Sequence, residues 1–154
     1  MSVVIKTLTP FTEQDVLISA LEALDVSVEV SNDVLITDRH DYQGSQNFIW
    51  DGSIYRLAHD SDELMGKVIG HSFGKSYTKV KQFLSNLDVQ YKEAHKLKLE
   101  RIEQEERERL EQERLDRVEL ARSRAVEKAI SQGYQVDQKR INGKIKLVLT
   151  RTVY

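Results

Sequence analysis

The spacing of apolar residues changes period several times along the first sixty residues, and each change marks an element. Ser2–Leu8 is β-branched and apolar and predicts a first strand, which Pro10 ends. Val16, Leu17, Ala20, Leu21 and Leu24 then recur at helical spacing over residues 13–25, with Thr12 as N-cap and Asp15 in the first turn. Val26, Val28 and Val30 alternate with Ser27 and Glu29, the period of a half-buried strand. Asn32-Asp33 allows a turn into a short strand, Val34–Thr37. Residues 38–47 lack an aliphatic side chain and read as a polar loop holding Arg39, His40, Asp41, Tyr42, Gln43 and Gly44.

Two hairpins follow from turn chemistry. In NFIWDGSIYRL, two β-rich runs flank Asp51-Gly52, and near the C-terminus Tyr134–Ile141 and Lys144–Thr152 flank Asn142-Gly143. Both dipeptides adopt the positive φ of a tight hairpin turn. Ile145, Leu147 and Leu149 alternate with Lys144, Lys146 and Val148, which predicts one core-facing side. Gly133 ends the preceding helix. Strands at both ends with helices between them predict an α+β fold: an antiparallel sheet with hairpins, covered on one face by helices.

Between Ser76 and Gln132 there is neither Gly nor Pro. Residues 97–124 hold nine acids and eight bases, a net charge of −1. Glu103–Arg107, Glu105–Arg109 and Glu113–Arg117 each set an acid four residues before a base, an arrangement that adds roughly 0.2–0.5 kcal/mol per pair to an exposed helix. The segment is therefore helical rather than a disordered linker. Glu103–Arg109 contains nothing apolar, so these two turns belong in solvent. Residues 96–124 are expected to form a charged helical arm, one long helix or a helical hairpin, inserted in an α+β domain built from residues 1–95 and 125–154. Leu110, Leu115, Val118, Ala121, Ala125 and Ala129 give that arm a narrow apolar stripe, the seam of a helix pair within one chain or between two. A homo-oligomer is expected on this ground.

Bulk properties narrow the class. The chain has 154 residues, 40% hydrophobic and 31% charged, with a net charge of −2, which disfavours nucleic acid as a partner. It has no cysteine, hence no disulfide and no thiolate chemistry. No stretch approaches the roughly 18 apolar residues of a membrane helix and the N-terminus lacks a basic leader, so a cytoplasmic protein without a membrane partner is expected.

Chemistry-bearing motifs are few. GHSFGKS, residues 70–76, ends in Gly-Lys-Ser but sets three residues rather than four between its first glycine and the Gly-Lys pair, and no apolar strand precedes it. It reads as a loop, with Gly66, Gly70 and Gly74 as joints and Ser76 as the next helix's N-cap. His40-Asp41 and His59-Asp60-Ser61-Asp62-Glu63 offer imidazole and carboxylate for a metal, but without a helical His-x-x-x-His frame they read first as solvated loop charges. Trp50 beside Phe48 and Tyr55 could stack on a ligand or pack within the sheet. Arg39, Tyr42 and Gln43 are candidates for partner contact, since Tyr and Arg favour contact surfaces.

ALEALDVSVEV (20–30), Tyr42-Gln43-Gly44, Phe48-Ile49-Trp50-Asp51-Gly52 with Tyr55, Tyr91 with His95, Gly133-Tyr134-Gln135-Val136 and Gly143–Leu149 span nearly the whole chain. Together they resemble a small family of hypothetical reading frames from chloroplasts, cyanobacteria, other bacteria and phages. The resemblance implies a compact α+β domain with no assigned activity, and its relatives' association with an AAA-type ATPase implies an accessory role. This chain departs from that pattern by extra residues between His95 and Gly133. The expected function is a protein-interaction or adaptor module without cofactor, binding another protein through Arg39, Tyr42, Gln43, Trp50, Leu110, Leu115 and Val118. The alternative is a metal- or nucleotide-binding regulator or enzyme using loops 38–47 and 59–75.

Overall fold

A computed structural model describes residues 1–63, 66–68 and 76–152; the Gly-Lys-Ser loop at 70–75 lies outside them. The chain divides into two compact units, Met1–Arg101 and Ile102–Tyr154.

The first unit is an antiparallel sheet faced by helix. Its strands are β1 (Val4–Leu8), β2 (Val28–Ser31), β3 (Val34–Asp41), β4 (Gly44–Trp50) and β5 (Tyr55–Asp60), in spatial order β1-β5-β4-β3-β2, and a two-residue strand β6 (Lys67–Val68) pairs with β3. Helix α1 (Gln14–Ala23) turns Val16, Leu17, Ala20 and Leu21 inward. The second helix, α2, runs unbroken from Val80 to Ser131. Its first turns bring Val80, Phe83, Leu87 and Tyr91, at helical spacing, onto Phe11, Leu35, Phe48 and Leu57 in the same core. The α+β class is as expected.

Local expectations shift in four places. Residues 38–47 are not a loop. Asp41 pairs with Gly44, so β3 and β4 form a hairpin whose turn is Tyr42-Gln43. Gly44 takes the positive φ of 108°, and the Asp41 carboxylate accepts the Gln43 N–H at 2.9 Å. Second, β3 bulges between Ile36 and His40, and the Thr37 hydroxyl donates to the Gln46 carbonyl at 2.6 Å in place of a ladder bond. Third, the loop joining β4 to β5 spans Asp51–Ile54, because Trp50 pairs with Tyr55. Fourth, neither helix is capped as expected. The N-cap of α1 is Glu13 rather than Thr12, and α2 begins four residues after Ser76 with the Val80 N–H donated to the Glu63 carboxylate at 2.7 Å.

In the second unit, α2 continues to Ser131. Gly133, at φ 82°, terminates it, with its N–H on the Ile130 carbonyl and the Tyr134 N–H on Ala129. β7 (Gln135–Ile141) and β8 (Lys144–Thr150) follow as a hairpin around Asn142 and Gly143, both at positive φ. The two strands pair with each other in a sheet of their own. Among the described residues, β7–β8 and the strands of the first unit thus belong to separate sheets, and the boundary between units falls inside the segment expected to be an insert. Nothing between Ser76 and Gln132 breaks the helix, so α2 continues past that boundary and the helical-hairpin alternative drops out.

Candidate functional site

The first unit gathers its polar candidates into a buried network. Arg39, on the core face of β3, is 2% exposed and is not a surface contact. Its guanidinium lies 3.9 Å from the Phe83 ring centre and 4.6 Å from that of Tyr77. Nε donates to Gln46 Oε1 at 2.9 Å, and Nη2 donates to the Thr78 carbonyl. The Gln46 amide donates to Tyr77 at 2.6 Å and to Asp41 Oδ2 at 3.1 Å. Asp41 Oδ2 also accepts the Asp60 N–H at 2.7 Å, and Tyr77 donates to Glu63 at 3.2 Å. Burial lowers the Arg39 pKa, but a guanidinium stays charged. Burial also pushes the Tyr77 phenol up to about 12. The arrangement ties β3, β4 and β5 to the start of α2 and leaves Arg39 no donor face toward bulk solvent.

The metal candidates do not converge. His40 pairs in register with Ser45, on the face of the sheet opposite Phe48, whereas His59 has the parity of core-facing Leu57. Each imidazole has both nitrogens in use. His40 Nδ1 donates to the Asp38 carbonyl at 3.3 Å and Nε2 accepts from Ser45 at 3.0 Å. His59 Nδ1 donates to the Asp60 carbonyl and Nε2 accepts from Thr7, both at 2.7 Å. A metal at either ring would displace a hydrogen bond. The Ser2 hydroxyl donates to Asp60 and holds its carboxyl below the usual range. Among the described residues, no three His, Cys, Asp or Glu side chains form a metal-sized cluster.

Trp50 is half-buried and packs on Tyr55 with ring centres 5.0 Å apart, so it fills space within the sheet. Tyr42 stands at a hairpin turn, 73% exposed, and beside it the Gln43 amide reaches back to the Ser2 carbonyl at 3.0 Å. A groove of about 470 Å³ between α1 and α2 is lined by Val16, Ala23, Ala94, Leu97 and Lys98, and no described residue of 38–47 or 59–75 lines it.

The second unit has the opposite character. Of its described residues, Ala129 is the single buried hydrophobic. Leu110, Leu115 and Val118 are about half exposed. So are Ile130, Ile145 and Leu149, although Ile145 and Leu149 belong to the face of β8 expected to be core. That face is only partly covered, through Leu147 and, across the ladder, Val136, and Gln138 shares a recess with Arg122, Ser123 and Val126. Of the three expected ion pairs, Glu103–Arg107 forms at 2.5 Å, while Arg109 pairs with Glu106 at 2.9 Å and Glu113 at 3.3 Å. The Arg117 side chain donates to the Glu113 carbonyl at 3.3 Å.

Gln46 and Tyr77, absent from the sequence candidates, hold the polar network together with Glu63, which the sequence offered only as a metal ligand. For Gln46 there was a signal: it falls two residues before Phe48, on the same face of a strand. No helix among the described residues is long and apolar enough to cross a membrane. Comparison with protein-family models, with curated proteins and with solved structures finds no match to this chain.

Proposed function

We propose that this protein is a non-enzymatic interaction module, an adaptor working in the cytoplasm, whose contact surface is the part of α2 beyond Arg101 together with the β7–β8 hairpin. The observation that carries this reading is the poverty of core in the second unit: over residues 102–152 one hydrophobic side chain, Ala129, is buried. A two-stranded hairpin is marginal alone, and a helix gains most of its stability from a packed apolar face. Leu115, Val118, Ile145 and Leu149, each 48–57% or 45–50% exposed, are the surface that a partner would cover. Tyr42 adds a second exposed contact on the first unit. An accessory role beside an AAA-type ATPase, as the family resemblance implies, is one form of this reading.

Affinity capture with the full chain and with Val118→Asp/Ile145→Asp tests it. The chain should retain a defined protein, itself or another, and the double variant should lose it while keeping its helix content. Equal retention by both would reject the assignment of this surface.

A further inference from the structure

Resting on that reading, we infer that the partner of the second unit is a second copy of the same chain, docked antiparallel along α2. The distribution of charge along the second unit points to this partner. Residues 102–113 carry six acids, Glu103, Glu105, Glu106, Glu108, Glu111 and Glu113, against two bases. Residues 114–131 carry five bases against three acids, and residues 132–152 carry five bases, Lys139, Arg140, Lys144, Lys146 and Arg151, against Asp137 alone. The unit is therefore acidic at −4 over its first twelve residues and basic at +6 over the remainder.

The two ends are not equally satisfied. The helix arginines Arg107, Arg109, Arg114 and Arg122 each have a carboxylate partner within 3.3 Å or closer. Lys139, Arg140, Lys144 and Lys146 have no acidic partner among the described residues, and Lys139 stands directly across the ladder from Lys146. Like charges at opposed positions destabilise a hairpin. A hairpin of this kind gains from an external anionic surface, and the chain has one of matching extent in residues 102–113.

One chain's acidic turns and basic turns follow each other on a single helix, so they cannot fold onto one another. Two chains can satisfy both ends at once, but only antiparallel, with a two-fold axis near Arg114 and Leu115. A parallel pair would set acid on acid and base on base. In the antiparallel pair, Leu110, Leu115 and Val118 meet their counterparts near the axis, and the basic hairpin of one copy lies over the acidic turns of the other. Gln138 of the hairpin shares its recess with Arg122 and Ser123, which places the hairpin beside the helix segment that needs covering. The short apolar seam makes the association electrostatic and therefore sensitive to salt.

The test uses the full chain, which lacks cysteine, so that a single introduced thiol labels one position. Sedimentation equilibrium should find a dimer whose dissociation constant rises about tenfold or more between low and high salt. A nitroxide on Ser123→Cys should report an intermolecular distance of about 25–30 Å, from roughly 17 residues of offset at 1.5 Å each plus the helix spacing. Two variants complete it: Glu108→Lys/Glu111→Lys and Lys139→Glu/Lys146→Glu, each with helix content checked by circular dichroism. Each alone should be monomeric, and an equimolar mixture should restore the dimer. A chain that stays monomeric at high concentration overturns the inference, as does a distance below about 15 Å or a mixture that fails to associate. Capture of a different protein through Val118 and Ile145 would leave the interaction reading standing while removing the second copy as its partner.

Discussion

The Tyr91 hydroxyl sits on the N-terminus of α1, where it accepts the Glu13 N–H at 3.0 Å and the Thr12 N–H at 3.2 Å from a position 78 residues away in sequence. Thr12 was the expected cap, but the N-cap is Glu13, no side chain caps it, and the phenol from α2 takes the N–H of Glu13 and of Thr12 before it. The same side chain packs on Phe11 with ring centres 4.8 Å apart. Tyr91→Phe keeps the ring and removes the acceptor. The expected loss is about 1 kcal/mol, read from urea unfolding followed by Trp50 fluorescence, since Trp50 is the single tryptophan and lies in the same unit. Thr12→Ala should change the midpoint by less.

Arg39 offers a larger effect. Its guanidinium fills the space between Phe83 and Tyr77 and supplies donors to Gln46 and Thr78. Arg39→Ala would leave buried acceptors unpaired and open a void, with an expected loss of about 3 kcal/mol or more. Arg39→Lys should recover little of it, because an ammonium neither stacks between rings nor forks to two acceptors. Thermal unfolding of the three proteins checks the order. Full stability in Arg39→Ala would return this residue to the contact surface.

Sequence and structure part company where a side chain's role depends on something far along the chain. Hydrophobic period sufficed for α1, and the lack of any breaker sufficed for α2. Asn142-Gly143 placed the turn of the β7–β8 hairpin, because its turn type is set by local φ. Residues 38–47 looked like a loop because Asp38, Arg39, His40 and Asp41 carry no strand signature. They are strand because Arg39 and Gln46 extend the core face of β3 and β4 with polar atoms that satisfy each other. The polar network was legible only as scattered candidates. Arg39, Asp41 and Asp60 were visible, but Gln46 and Tyr77, which join them, were not. On β8 the alternation was read correctly and its meaning was not: Ile145 and Leu149 do form one face, yet within this chain little covers it.

The Asp51–Ile54 loop carries a pH signature. The Asp51 carboxylate accepts the Ile54 N–H at 2.9 Å, Arg56 Nε at 2.6 Å and the Ser53 N–H at 3.0 Å, which together hold its pKa far below the usual carboxylate range. A depressed folded pKa means stability that is complete above the unfolded pKa of about 4 and lost as pH falls through the lower folded value. Asp51→Asn should therefore be less stable than the native chain at pH 7, and the gap should close on acidification below about pH 4. A gap that stays constant with pH would show that the carboxylate charge has no part in it.

At the alkaline end the sign reverses. Tyr77 is raised to about 12 by burial first, so the network needs the neutral phenol. Its contribution is complete below the ordinary tyrosine pKa of about 10 and disappears as pH climbs toward 12. Ultraviolet titration should show one tyrosine of the six ionising last, and Tyr77→Phe should remove that step alone.

Residues 1–101 should fold without the rest of the chain. Every buried hydrophobic side chain among the described residues except Ala129 lies in this segment, and the core it forms closes on α1, the sheet and the first turns of α2. Ending the chain after Arg101 removes no member of that core, and it retains Lys98, whose ammonium bridges Glu13 and Asp15 at the start of α1. The truncated chain should keep the urea midpoint of the full protein, followed by Trp50 fluorescence, to within about 1 kcal/mol. Residues 102–152 alone should behave differently. With one buried apolar side chain, their helix and hairpin should melt without a cooperative transition at low concentration, and helicity should rise with concentration as copies associate. Cooperative, concentration-independent melting of this fragment would mean that the second unit has a sufficient core of its own, and the case for a partner covering Leu115, Val118, Ile145 and Leu149 would fall with it.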